Sequence, residues 1–329
     1  MNPVKSKKYD FDITVTDNTY AGELALPYVT AAVTGAETLA NNRARLIEGV
    51  VHKAVISDLG FGASGGTGLV QAAACGGTDG ANLELTEQVI TLNELMVKEV
   101  ICRKTIFPTF IAAQGQMRRD GNVPPAFAEF LLASTSAKAA TDVEALMWQA
   151  DSGSAWGLGL LSNSGTINEA GIDASALADF TEAVVAAAFD ATNILGEMDK
   201  VFAAAAATPG ILQRPGCGFY ISYEAFAFMQ QAIAAQGTDL GYNRDLKTVT
   251  YLGYPVYPTA GIPNTADVIA FTYPDNIVVG SNAYTGNESA GLIPVYQYDG
   301  SDNVKVTMDF AVGVNVAVAT DGVVGFAFT

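Results

Sequence analysis

The feature that most constrains this chain is a glycine-rich stretch, Gly60 to Gly80, bracketed by two runs of strand character. Val50 to Leu59 and Leu83 to Thr91 are rich in Val, Leu, Ile and Thr, with Leu85, Gln88 and Ile90 in the second run. Five of the nine residues from 60 to 68 are Gly. Such a segment loses much backbone freedom on ordering and has few side chains to bury in return. Two strands joined by a tip of this kind predict a protruding β-hairpin with no core of its own.

The same glycines spell two catalytic patterns. Gly60, Gly62 and Gly65 match G-x-G-x-x-G, and Gly62-Ala63-Ser64-Gly65-Gly66 matches G-x-S-x-G. A dinucleotide site needs a helix N-terminus directly after the loop to hold the pyrophosphate. Here more Gly follows, then a short Leu69 to Ala74 run and Gly76-Gly77. An esterase elbow needs a later His, but the single His, His52, precedes Ser64. No Lys-Ser/Thr pair follows the glycines, so a P-loop is excluded. The Gly60-Gly65 loop leaves an NAD(P)-binding oxidoreductase as the rival reading from a different class.

Other candidate chemistry is equally thin. Cys75, Cys102 and Cys217 are odd in number and contain no CxxC pair, so they read as small buried hydrophobes, not as a disulfide framework. With His52 they could hold zinc only if all four converged. Asp299-Gly300-Ser301-Asp302-Asn303 lacks the full ligand ladder of a calcium loop and reads as a hairpin turn. Glu94 and Glu99 read as the solvated side of a strand or helix. No catalytic, cofactor-binding or metal-binding residue is nominated, and no cofactor is expected.

Composition enters because the surface does not add up. Half of the 329 residues are hydrophobic and 16% are charged, against about 25% charged in an ordinary soluble domain. The apolar candidates for a membrane span, Ala183 to Phe189 and Val201 to Ala207, fall well short of the ~18 residues required. Met1 to Tyr20 carries Lys5, Lys7 and Lys8 and then Asp10, Asp12 and Asp17, with no apolar stretch of a signal peptide. The expectation is a chain made in the cytoplasm, away from membranes, whose missing polar surface is covered by other copies.

Net charge is −17 and unevenly placed: residues 1–120 hold 11 Lys+Arg against 13 Asp+Glu, and residues 121–329 hold 6 against 21. Such acidity opposes wrapping a polyanion, which needs clustered Lys and Arg. It suggests instead that the N-terminal third lies across acidic parts of neighbouring copies.

Along the rest of the chain, residues 1–35 form a weakly patterned arm with one strand around Phe11, Ile13 and Val15, and 36–50 read as a short helix. Ile101 to Ile111 reads as a strand. Pro125 to Ala150 is the clearest helix, with Asn122 as cap and Pro124 and Pro125 in its first turn. Its apolar residues, Phe127, Phe130, Leu131, Val143, Leu146 and Met147, flank a small, polar middle from Ser134 to Thr141, which suits a helix laid across a sheet or a neighbour. Ala-rich helices are expected around 175–189 and 193–207, a strand at Gly218 to Ser222, and a helix from Tyr223 to Ala235. The last ninety residues are β-rich: Val249 to Tyr257, Val268 to Tyr273, Asn276 to Val279, Ile293 to Tyr298, Val304 to Phe310 and Val314 to Phe328. The fold class is α+β.

This order of elements resembles the major capsid fold of tailed bacteriophages, named after bacteriophage Hong Kong ninety-seven and shared with encapsulin nanocompartments. Gly218-Phe219-Tyr220-Ile221-Ser222 running into the Tyr223 helix looks like that family's axial strand–helix step. Leu252-Gly253-Tyr254-Pro255-Val256 resembles its L-x-G-x-P-V segment, and Asn276 to Gly280 and Val304 to Ala319 ahead of Val323 look like its closing strands. The resemblance implies an N-terminal arm and short helix over 1–49, an extended β-hairpin loop over 50–90, and a peripheral domain with spine helix over 91–153. An axial domain follows over 154–270, and return strands over 271–329 complete the sheets. It further implies a structural, non-enzymatic subunit that forms pentamers and hexamers of an icosahedral shell. That shell would assemble in the host cytoplasm, enclose double-stranded DNA without sequence-specific binding, and take scaffolding, portal and decoration proteins as partners. Lys53, at the base of the hairpin, is the only Lys there, so no cross-linking residue is carried over. An encapsulin-like shell, and a tail or adhesin subunit, are the structural rivals.

The charge asymmetry has a measurable consequence. Contacts between the N-terminal third and acidic neighbours are screened by salt, so raising ionic strength is expected to loosen the assembly. Light scattering across a salt series checks this, and assembly indifferent to ionic strength would count against it.

Overall fold

The computed structural model describes residues 18–21, 26–61, 83–102, 125–149, 159–161, 175–184, 188–208, 210–235, 249–282, 289–295, 301, 303–318 and 320–327. They build two six-stranded sheets and a separate two-stranded hairpin.

The first sheet is organised by its longest strand, β13 (Asn303–Val316). Val304, Val306, Met308, Phe310 and Val312 are buried on one face, and Lys305, Thr307 and Asp309 alternate with them, the period-two pattern of a half-covered antiparallel strand. It pairs antiparallel with β12 (Ser289–Pro294), β11 (Ile277–Ser281) and β5 (Asn93–Cys102). β1 (Asn18–Ala21) adds to β12, and β2 (Arg45–Ile47) runs parallel to β11.

Two helices cover the inner face, α1 (Leu26–Thr34) and the 24-residue α3 (Pro125–Trp148). The buried residues of α3 come in doublets four apart: Leu131 and Leu132, Thr135 and Ser136, Ala139 and Ala140, Val143 and Glu144, Met147 and Trp148. That spacing is one helical face. Its small middle lets α1 approach closely: a Cβ added at Gly35 would lie 3.0 Å from the Ala140 Cβ. Among the described residues no helix is long and apolar enough to cross a membrane.

The second sheet has the order β6 (Thr181–Val184), β14 (Val323–Ala327), β10 (Asp267–Thr272), β7 (Gly218–Ile221), β9 (Tyr254–Pro258) and β8 (Val249–Tyr251). Phe219, Ile221, Ile269 and Phe271 face α4 (Ile194–Ala207) and α5 (Tyr223–Ala235), whose Met198, Val201 and Met229 are fully buried. Tyr220, Val268, Ala270 and Val324 point the other way, into the core shared with α3. Burial on both faces explains why β7 and β10 read as unbroken apolar runs. Phe219 and Phe271 meet edge to face at 4.7 Å.

Several elements depart from the sequence reading. Leu26–Thr34, expected within a weakly patterned arm, is a helix with buried Val29, Ala32 and Val33. The helix expected over 36–50 is only α2 (Glu37–Ala40), because Asn42 turns left-handed at φ 53° and the chain continues as β2. The expected helix at 175–189 is instead a turn followed by β6, which pairs parallel with β14; sheet pairing overrides alanine's helix preference there. A strand not expected from the sequence, β5, covers Asn93–Cys102 with Leu95 buried; of the strand expected at Ile101 to Ile111, Ile101 and Cys102 end β5 and 103–111 lie outside the described residues. The strands expected at Val304 to Phe310 and Val314 to Phe328 are Asn303–Val316 and Val323–Ala327, the break falling later because the first is continuous through Gly313. A Cβ there would come 2.3 Å from the Thr91 carbonyl oxygen, so only glycine lets the hairpin root cross β13. The expected strand around Phe11 to Val15 and the Gly62 to Gly80 tip lie outside the described residues.

The run Val249 to Tyr257 is a hairpin, β8 and β9, turned by Leu252 at φ 50° and Gly253 at φ 87°. Positive φ at both positions is the two-residue hairpin turn that favours Asn-Gly. An L-residue other than Asn or Asp there costs about 1–2 kcal/mol. Leu252→Asn is therefore expected to stabilise the folded chain by roughly 1 kcal/mol, read as a raised urea midpoint; an unchanged or lowered midpoint would contradict it.

Candidate assembly surface

The hairpin of β3 (Lys53–Phe61) and β4 (Leu83–Thr91) keeps a continuous antiparallel register from Lys53↔Thr91 to Phe61↔Leu83. Its root is anchored. Ile90 is fully buried among Val50, Leu92, Val278 and Ala311, with Ala54 and Ile56 packed beside them. The Val50 amide donates to the Ser281 carbonyl, the Leu92 amide to the His52 carbonyl, and the Asn315 side-chain amide to the Val89 carbonyl.

The opposite face of the ladder is bare. Val55 and Val89, paired directly across the strands, are 59% and 45% exposed, and Leu85 is 58% exposed. The β5 strand that follows repeats the pattern on the sheet: Leu95 is buried inward, while Met96 and Val100 are 67% and 61% exposed on the outward side. Exposed apolar residues clustered at regular spacing mark an interaction surface more often than singly scattered ones do.

A polar knot joins the two sheets. Glu144, on the buried face of α3, accepts hydrogen bonds from the Thr38 amide at 2.9 Å and the Thr38 hydroxyl at 2.6 Å. The Trp148 indole N–H donates to the same hydroxyl at 3.0 Å. Trp148 packs 5.6 Å from Tyr220 of the second sheet, whose hydroxyl donates to the Arg43 carbonyl. Arg43 lies over Tyr257 at 5.3 Å and 3.8 Å from Glu37. Glu37 in turn accepts from the Tyr223 hydroxyl and the Ala260 amide. Burial raises the Glu144 carboxyl above its ordinary range, opposed by the Thr38 hydrogen bonds, with Glu37 adding repulsion.

Among the described residues, those singled out by the sequence do not converge, and Cys75 lies outside them. Gly60 sits in β3, paired antiparallel with Glu84, whereas a dinucleotide fold needs a parallel strand reached through a helix; Gly62 and Gly65 lie outside the described residues. His52 is exposed beside the hairpin root, Cys102 is exposed at the end of β5, and Cys217 is buried with its thiol pushed up to about 12 by burial. Among the described residues no three His, Cys, Asp or Glu side chains gather as metal ligands. Glu94 and Glu99, five residues apart on β5, fall on opposite faces of it, and Glu99 bridges to Lys138 of α3 at 2.9 Å. Of the expected turn at 299–303, Asn303 opens β13.

No family model and no curated protein matches the sequence. Solved structures match its fold. A chain of the satellite phage P4 procapsid including size determination (Sid) protein superposes with a TM-score of 0.60 at 12% identity, over 91% of this chain and 89% of that one. The capsid of an empty GTA particle computed with C5 symmetry gives 0.53 at 16% identity, over 90% of each chain. A structure of Gordonia phage Cozz gives 0.53 at 14% identity, over 89% and 87%. The arrangement of sheets, long helix and hairpin is the phage capsid fold that the order of elements resembles.

The buried carboxylate makes a pH prediction. Its folded pKa lies above the unfolded value near 4.5, so the folded state holds the extra proton in the window above 4.5. Stability contributed by Glu144 is therefore present at low pH and falls as pH rises through that window, by at most about 1.4 kcal/mol per pH unit. Urea unfolding of the unassembled chain across a pH series is expected to show a shallower fall for Glu144→Gln than for the wild type. Parallel curves would contradict it.

Proposed function

We propose that this chain is a major capsid protein, a structural subunit that assembles with copies of itself into an icosahedral shell around a double-stranded DNA genome, and that it is not an enzyme. The observation that carries this is the hairpin: rooted firmly in its own sheet, it presents an apolar face that its own chain leaves bare. The fold, shared over about nine-tenths of both chains with phage and GTA capsid structures, supports the same reading.

On this reading residues 1–49 are the arm, 50–90 the extended loop, 91–153 the peripheral domain with α3 as its spine, 154–270 the axial domain and 271–329 the return strands. Axial domains would meet at pentamer and hexamer axes while hairpins overlap neighbours. Because exposed apolar rows lie on two different elements, the hairpin and β5, the contacts would be of the head-to-tail kind that continues from copy to copy instead of closing in a dimer. The acidic body would enclose DNA without binding it by sequence. The shell would form in the host cytoplasm and belong to the virion, with scaffolding, portal and decoration proteins as partners. An oxidoreductase using the Gly60-Gly65 loop is disfavoured, because β3 leads into an antiparallel hairpin and not a parallel crossover.

Electron microscopy of the purified full chain is the direct test. Uniform closed shells are expected. A discrete small oligomer or a monomer at all concentrations would overturn the proposal, and tubes or fibres would point to a tail or adhesin subunit.

A further inference from the structure

The two exposed apolar rows described above are complementary in detail. On β4 the outward positions read Leu85, Glu87, Val89, all exposed. On β5 they read Glu94, Met96, Lys98 and Val100, all exposed, and the last three match the β4 pattern. Each is an apolar, charged, apolar triplet at alternate positions of a strand, so each spans about 13 Å with its charge at the centre. The central charges are opposite. Around Glu87 the hairpin partner residues are Ser57 directly across and Val55 across from Val89. Around Lys98 the sheet partners are Thr307 across, with Lys305 across from Val100 and Asp309 across from Met96.

We infer that the β4 row of one copy seats on the β5 row of a second copy, with Leu85 and Val89 against Met96 and Val100 and Glu87 paired with Lys98. The inference rests on the reading of the chain as a self-assembling subunit and adds the residues that set its register. Within one chain the two rows do not cover each other, since both are open. Charge complementarity at the centre of an apolar patch fixes orientation and excludes wrong registers. A shift of the seated strand by two residues would set Glu87 against Met96 or Val100 and leave Lys98 facing an apolar side chain. The two halves of the contact lie on different elements, so after one contact forms the first copy still offers its β5 row and the second its β4 row. That continues the assembly, as a shell requires.

The test is a charge exchange in the full chain, read by light scattering and electron microscopy under conditions where the wild type assembles. Glu87→Lys and Lys98→Glu are each expected to raise the concentration needed for half-assembly about tenfold, because each sets like charges face to face. The double variant Glu87→Lys/Lys98→Glu restores the pair in reverse and is expected to return to within about threefold of wild type. Both positions are exposed, and circular dichroism of the unassembled variants checks that they fold. Singles that assemble like the wild type, or a double variant as impaired as the two singles combined, overturn the inference while leaving the shell reading standing. Loss of assembly in Lys98→Glu alone, with Glu87→Lys silent, also overturns it and seats a different segment on β5. A wild-type chain that forms a small oligomer overturns the shell reading, and the exchange is then read from that oligomer's dissociation constant. A wild-type monomer at all concentrations overturns both.

Discussion

The two sheets of this protein are held in one arrangement by a carboxylate almost wholly shut off from water. Glu144 points from the long helix into the core, where a bare charge would cost several kcal/mol. It is tolerated because the Thr38 amide and hydroxyl both donate to it, while Trp148 donates to that same hydroxyl. A network of this kind is satisfied in one geometry only. Trp148 then meets Tyr220, and a Cβ at Gly261 would collide with the indole at 2.2 Å. The short α2 turn, the end of the spine helix and the second sheet are thereby locked at a single point. Arg43 and Glu37 extend the lock to Pro258, Ala260 and Tyr223.

That lock separates the molecule into parts with different tasks. The cores under α3 and around α4 and α5 are closed, with their large side chains fully buried. Among the described residues, six of the nine exposed large hydrophobics lie on the hairpin, at its root or on β5, and the others are Phe130, Tyr223 and Leu252. A rigid body can hold such a surface in a fixed direction, which a neighbour needs if it is to meet it in register. Gly313 contributes by letting the hairpin root cross β13 without a side chain in between. Among the described residues, the exposed apolar side chains thus gather mainly on one face of the hairpin and on the outward face of β5.

Much of this was legible residue by residue. The α3 helix shows in its apolar ends, and the step from Gly218 to Ala235 shows because a short apolar strand meets a helical repeat of Phe226, Met229 and Ile233. The hairpin shows because two strand-forming runs flank glycines. The misreadings share a cause. Thr181–Val184 lies in an alanine-rich stretch whose helix preference is beaten by pairing with β14. Leu252 and Gly253 carry positive φ in a run that looks like one strand, since leucine is no turn former. The bare face of the hairpin was not legible either: Val55 and Ile56 are alike in hydrophobicity, as are Val89 and Ile90.

The sequence by itself determined that two strand-forming runs flank a glycine-rich stretch and that a long helix follows them, and its spacing nominated no nucleophile, base or ligand set. These are local properties, set by backbone freedom, side-chain periodicity and covalent spacing. Only the tertiary structure decided that Ile90 faces inward, because Val278 and Ala311, some two hundred residues away, close over it. The same decision turned Leu85, Glu87 and Val89 outward, since neighbouring positions on a strand must point to opposite faces. It also placed Glu144 beside Thr38, a contact between residues more than a hundred positions apart that no local pattern encodes.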